Sequence, residues 1–141
     1  MAKYSWMVLF GFALLLALSS FFILLTAEID PNDFRSSTGV EWDAFKAEEP
    51  TVAAYTVRLE KLIAVMGIGF SLFGAVTAYK PYRNGEKWAW FTMFLFPIAF
   101  AASAVIFVIF NATGLGIYYG VFAVINLLAL LIGFPNFSSK G

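Results

Sequence analysis

The 141-residue chain contains no cysteine and no histidine, and only 18 of its side chains are charged. Without cysteine there is no disulfide, no thiolate nucleophile, no iron–sulfur cluster and no Cys-type zinc site. Without histidine there is no His-ligated haem, no imidazole copper site and no Ser-His triad. Charge is scarce at 13% of the residues, where a soluble domain carries about 25%. What fills the space is apolar: 61% of the chain is hydrophobic and 19% is aromatic. Such a composition cannot solvate an ordinary globular surface, and it points to an integral membrane protein.

Four stretches carry no charge at all. Trp6 to Ala27 spans 22 residues, Leu62 to Tyr79 spans 18, Trp88 to Phe110 spans 23 and Gly114 to Phe134 spans 21. Each meets or approaches the ~20 residues that cross a ~30 Å hydrocarbon layer as a helix. The runs lack period-2 alternation, and lipid offers no water to backbone groups, so helices rather than barrel strands are predicted. The expected fold is an all-α, four-helix transmembrane bundle forming one domain over residues 1–141. Its spans are set at about 6–27, 57–79, 88–110 and 114–134, with an acidic loop at 28–56.

Charge asymmetry predicts the orientation. Lys3, the loop with Lys80, Arg83, Glu86 and Lys87, and Lys140 together sum to +4, whereas Glu28 to Lys61 sums to −4. The positive-inside bias places both termini and the basic loop in the cytoplasm and the acidic loop outside, in a cell membrane. Trp6, Trp88 and Trp90, with Tyr79 and Tyr82, fall at the inner interface as aromatic anchors, and Arg83 and Lys87 are placed to meet anionic headgroups. The first run exceeds a signal-peptide core, and Leu25-Thr26-Ala27 is a poor cleavage site, so a retained signal anchor is expected.

The acidic segment reads as turn chemistry at Asp30-Pro31-Asn32-Asp33 and as a flexible stretch at Ser36-Ser37-Thr38-Gly39. Between Val40 and Glu49, the apolar Val40, Trp42 and Phe45 suit one side of a short surface helix and are candidate partner contacts. Pro50 suits the first turn of a helix that runs on into the second span, with Pro81 stopping it. Pro97, inside the third span, removes a backbone hydrogen bond and is placed to kink it. The acids Asp30, Asp33, Glu41, Asp43, Glu48 and Glu49 have no EF-hand spacing, so a solvated loop is read in preference to a metal site. Asn111-Ala112-Thr113 matches a glycosylation sequon, but its place at the membrane surface makes it a chance match.

No acid or base lies within the four charge-free runs, which disfavours a proton-coupled pump. Hydroxyls such as Ser19, Ser20, Thr26, Ser71, Thr77, Thr92 and Ser103 are expected to bond carbonyls of the preceding turn. Small residues form faces for close helix packing: Gly67, Ser71, Gly74 and Ala78 in the second span, and Gly116, Gly120 and Ala123 in the fourth. Asn126 is predicted to make an interhelical hydrogen bond.

The run Arg83-Asn84-Gly85-Glu86-Lys87-Trp88-Ala89-Trp90 resembles a loop that recurs after the second span of small, functionally unassigned four-helix membrane proteins of prokaryotes. The likeness covers residues 50–97 and implies a topology, not a chemistry. Taken together, the sequence leads to the expectation of a non-catalytic accessory subunit of a larger membrane complex. Its partners would be other membrane subunits and lipids rather than nucleic acid, and it would have no cofactor beyond a bound lipid. The alternative is a small carrier or lipid-binding protein acting as a homo-oligomer, with Asn126, Ser71 and Ser103 around a polar cavity.

Overall fold

The computed structural model describes residues 4–26, 29–110 and 112–138, with the side chains of Asn136 and Ser138 excepted. The expected limits at Ala27 and Glu28, the sequon residue Asn111, and the charges Lys3 and Lys140 lie outside the described residues. Every regular element among the described residues is helical: α1 Ser5–Thr26, α2 Pro31–Thr38, α3 Trp42–Glu48, α4 Pro50–Thr77 with a π turn Ala78–Tyr82, α5 Lys87–Met93, α6 Leu95–Ile109, α7 Thr113–Gly133 and α8 Pro135–Ser138. Four helical rods, Ser5–Thr26, Pro50–Tyr82, Lys87–Ile109 and Thr113–Gly133, are long and apolar enough to cross a membrane.

The two internal prolines each leave a mark. Pro97 has no N–H to give to the Met93 carbonyl, and the third rod is interrupted one residue later, at Phe94. Pro81 does not stop the second rod at Tyr79 as predicted. The helix widens into the π turn, which accommodates the ring, and ends at Tyr82. Gly85, at φ 76°, then supplies the left-handed residue that turns the chain toward α5.

The rods close where their side chains are smallest. At Gly67 a Cβ would stand 2.6 Å from Ser20 Oγ on α1, and at Gly74 it would fall on the Phe96 ring of α6. At Gly116 it would lie 2.6 Å from Val108 Cγ2 and 3.1 Å from the Ala104 carbonyl oxygen. Gly120 is slacker, with Ala104 Cβ 3.9 Å away. Ser71 and Ala78 are fully enclosed, and Ala123 packs against the edge of the core. That core holds Leu9, Ala13, Met93, Phe96, Phe100 and Leu130, while residues such as Leu18, Met66 and Ile109 point outward over the lateral surface.

The antiparallel register of α1 and α4 is pinned at two points. Ser20 faces Gly67, and the Ser5 and Tyr82 hydroxyls are 3.3 Å apart in a hydrogen bond. The same register carries Thr26, the end of α1, to about the level of Lys61. The 33-residue rod is ~50 Å long, against a ~30 Å hydrocarbon layer. Pro50 to Glu60 therefore project beyond the bundle.

On that projection sits a small helical cap, and here two sequence expectations fail. Asp30 is not in a turn but is the N-cap of α2, its carboxylate accepting from the Asn32 and Asp33 N–H groups at 2.8 and 3.4 Å. Pro31 at the first helical position completes the start signal. Ser36-Ser37-Thr38-Gly39 is not a flexible stretch either. It is the last turn of α2, closed by Gly39 at φ 77° with its N–H on the Arg35 carbonyl. Burial and then the Asp30 charge raise the Asp33 carboxyl above its ordinary pKa.

These contacts separate the glycines. Gly74→Ala is expected to lower thermal stability in detergent, with an overpacking cost of ~1–3 kcal/mol because the Phe96 ring must move. Gly120→Ala should be neutral or stabilising, since it adds helix propensity where space exists. Equal midpoints for the two variants in a thermal unfolding assay would show that α4 and α6 do not meet at Gly74.

Candidate functional site

Two ends of the bundle carry the side chains singled out by the sequence, and they are built differently. At the end bearing Lys80, Arg83 and Lys87, Tyr82 is buried and gathers the ends of three rods. Its hydroxyl meets Ser5, its ring packs edge-on to Phe137 with centroids 4.8 Å apart, and a Cβ at Gly133 would fall on its hydroxyl. Tyr82 was expected as an interface anchor and is instead a bolt between α1, the π turn and the C-terminal turn. The lone glycine at the end of α7 was the one sequence signal for this contact.

Trp90 departs from its expected role in the same way. Its Nε1–H donates to the Leu130 carbonyl at 3.1 Å, and its ring meets Phe91, Phe94 and Phe134 at 4.6–5.3 Å. Because the Phe134 N–H bonds to Leu131 rather than Leu130, Trp90 satisfies a carbonyl in the last turn of α7. Trp88 stays exposed, with Nε1–H donating to Glu86 Oε2 at 2.6 Å. Arg83 lies over the Trp6 ring at 4.9 Å and the Tyr79 ring at 6.0 Å, tying the loop to α1 by cation–π contact. Lys87 is exposed and stands at the mouth of a cavity of about 290 Å³ with Trp90, Phe91, Phe134 and Phe137.

At the opposite end, Trp42 is 2% exposed and covers the buried face of the projecting α4 near Pro50, Ala53, Ala54 and Val57. Phe45 is half-buried beside it, with ring centroids 5.8 Å apart. Val40 is not part of this cluster: it is exposed, and Phe34 takes the third place, 4.9 Å from Trp42 and 5.1 Å from Phe45. Reading α2 as a helix was the step needed to find Phe34. Ion pairs Arg35–Glu41 and Lys46–Asp43, both 2.8 Å, lie on the outside of the cap. Such exposed pairs add little stability. Among the described residues no three of the acids group as a metal site would require.

With its core neighbours covered by the cap, α4 shows a different face outward. Val52, Tyr55, Leu59, Leu62 and Met66 are all exposed and recur at steps of three and four, away from the buried Ala53, Ala64 and Ser71. This is the spacing of a helix–helix seam. The seam begins on the projecting segment and passes into the apolar part of the rod.

The hydroxyls within the rods mostly behave as expected: Ser19, Thr26, Ser71 and Thr92 donate to carbonyls three or four residues back at 2.6–3.0 Å. Asn126 does not bond across helices. It is 1% exposed, its Nδ2 donates to the Phe122 carbonyl of its own helix at 2.9 Å, and its Oδ1 has no partner among the described residues. The cavity beside Lys87 is not lined by Asn126, Ser71 or Ser103. Comparisons with protein-family models, curated proteins and solved structures return no match to the chain.

A buried acceptor left open costs roughly 1–3 kcal/mol, whereas an apolar group of similar shape carries no such penalty. Asn126→Leu is therefore expected to leave the unfolding midpoint unchanged or to raise it. A drop equivalent to more than about 2 kcal/mol would mean that a donor from outside the chain occupies Oδ1 in the native membrane.

Proposed function

We propose that the protein is a non-catalytic accessory subunit of a larger membrane complex, docking through the outward seam of α4 beside the helical cap. One observation carries this reading. Lipid accounts for exposed apolar side chains along the membrane-crossing part of a rod, but Val52 and Tyr55 stand on the segment that projects past the end of α1. Apolar groups repeating at helical spacing there favour a partner helix. The charge-free runs 6–27, 62–79, 88–110 and 114–134 hold no acid or base to run a proton or ion path, which fits an assembly role better than transport.

The charge distribution supports an orientation with both termini and the basic loop in the cytoplasm and the cap outside. The partner is another membrane subunit that offers an apolar helix to the seam and a basic surface to the acidic cap. The cap holds its own aromatics inward, so it contributes charge and shape, while Val40 remains available at its edge. The electrostatic part of the contact weakens with salt, as the screening length falls to ~8 Å at physiological ionic strength.

Glutamates at the seam test the docking. Tyr55→Glu with Leu59→Glu touches no core residue, so insertion and thermal stability should persist while co-migrating chains disappear from a native gel after mild detergent extraction. Wild-type protein that extracts as a monodisperse monomer, or a double variant that keeps all its companions by mass spectrometry, overturns the reading. The orientation is checked separately: a reporter joined at Gly141 should be active only on the cytoplasmic side.

A further inference from the structure

The cavity at the basic end has a construction that the docking of α4 does not explain. Its walls are fixed by contacts made for another purpose. Trp90 is held by the Leu130 carbonyl, and Phe137 packs on the Tyr82 ring, so the floor is aromatic. Its rim is formed by Phe91 and Phe134, which are exposed on the lateral surface of the third rod and just past the end of α7. Lys87 completes the mouth. Neither of the described ion pairs uses its ammonium group, and the adjacent acid, Glu86, receives the Trp88 indole N–H.

We propose that this cavity is a binding site for one anionic phospholipid, independent of the docking role of α4. The phosphate meets the Lys87 ammonium, and the upper part of one acyl chain lies between Phe91 and Phe134 against the Trp90 ring. Charge complementarity selects the occupant. A lone cation at the edge of an aromatic hollow matches a molecule that is anionic at one end and hydrocarbon at the other. The surrounding loop also carries Lys80 and Arg83 against the single acid Glu86, so a zwitterionic headgroup gains less there. At about 290 Å³ the cavity lies at the small end of ligand pockets, which suits part of a chain and not a whole lipid.

The test is native mass spectrometry of the full-length, delipidated protein in detergent, titrated with phosphatidylglycerol, phosphatidylcholine or inorganic phosphate. One phosphatidylglycerol should be retained, at concentrations about ten-fold below those needed for phosphatidylcholine. Lys87→Gln should weaken retention about five-fold. Phe91→Ala should weaken it too, and because Phe91 is exposed, that variant keeps the test valid if Lys87→Gln unfolds. Lys80→Gln removes a charge from the same loop without touching the cavity and should weaken retention clearly less than Lys87→Gln. Equal retention of the two lipids overturns the proposal, as does an equal loss on changing Lys80 or Lys87. Binding of inorganic phosphate as tight as that of the lipid would assign the site to a free anion and also overturn it.

Discussion

A helix surrounded by hydrocarbon gains nothing from pressing its leucines onto another helix, because lipid tails hold leucine equally well. Association then depends on how closely the backbones approach and on what few polar contacts they make. That constraint organises this protein. Its rods meet at Gly67 against Ser20, at Gly74 against Phe96 and at Gly116 against Ala104 and Val108, where a missing Cβ or a small side chain lets dispersion contacts form along a line. The long apolar side chains face outward, the reverse of a water-soluble bundle.

The polar contacts are placed to match. The Ser5–Tyr82 hydrogen bond, the Trp90 bond to the Leu130 carbonyl and the Arg83 contact with Trp6 all lie at one end, where the rods start or stop. Helix ends are where backbone carbonyls lack partners, so a donor spent there satisfies an otherwise open group. Glycine contacts along the rods thus set how near the helices lie, and the terminal bonds set their register. The aromatic residues of the basic loop serve this purpose before they serve any interface with headgroups.

The division between what was legible in the sequence and what was not follows from the same physics. The four rods are marked by charge-free runs, and three of them end within a few residues of those runs, whereas the second starts at Pro50, twelve residues before its run begins at Leu62. The small-residue faces were legible too, because helical spacing alone puts Gly67, Ser71, Gly74 and Ala78 together. Partners across helices were not, since no pattern in one strand of text says that Gly74 meets Phe96 or that Tyr82 meets Gly133. Tyr82 and Trp90 looked like surface anchors because residues at the ends of a span usually are. The cap was misread for a local reason: Asp30-Pro31 and Thr38-Gly39 are signals for turns and for helix limits alike, and the six intervening positions decide between them. Phe34, hidden in the supposed turn, is the residue that gives Trp42 and Phe45 a reason to cluster.

One rod belongs to both halves of the molecule. From Tyr82 to Pro50 the helix is continuous, and it is clasped to α1 from the Ser5–Tyr82 hydroxyl pair as far as Gly67 opposite Ser20, so its free arm is the part beyond Gly67. From Gly67 to Pro50 is ~25 Å, over which a tilt of about 5° sweeps the far tip through ~2 Å. The cap rides on that tip. Whatever shifts the footing of α4 among its neighbours is thereby magnified into a displacement of the cap, with no hinge in between to absorb it.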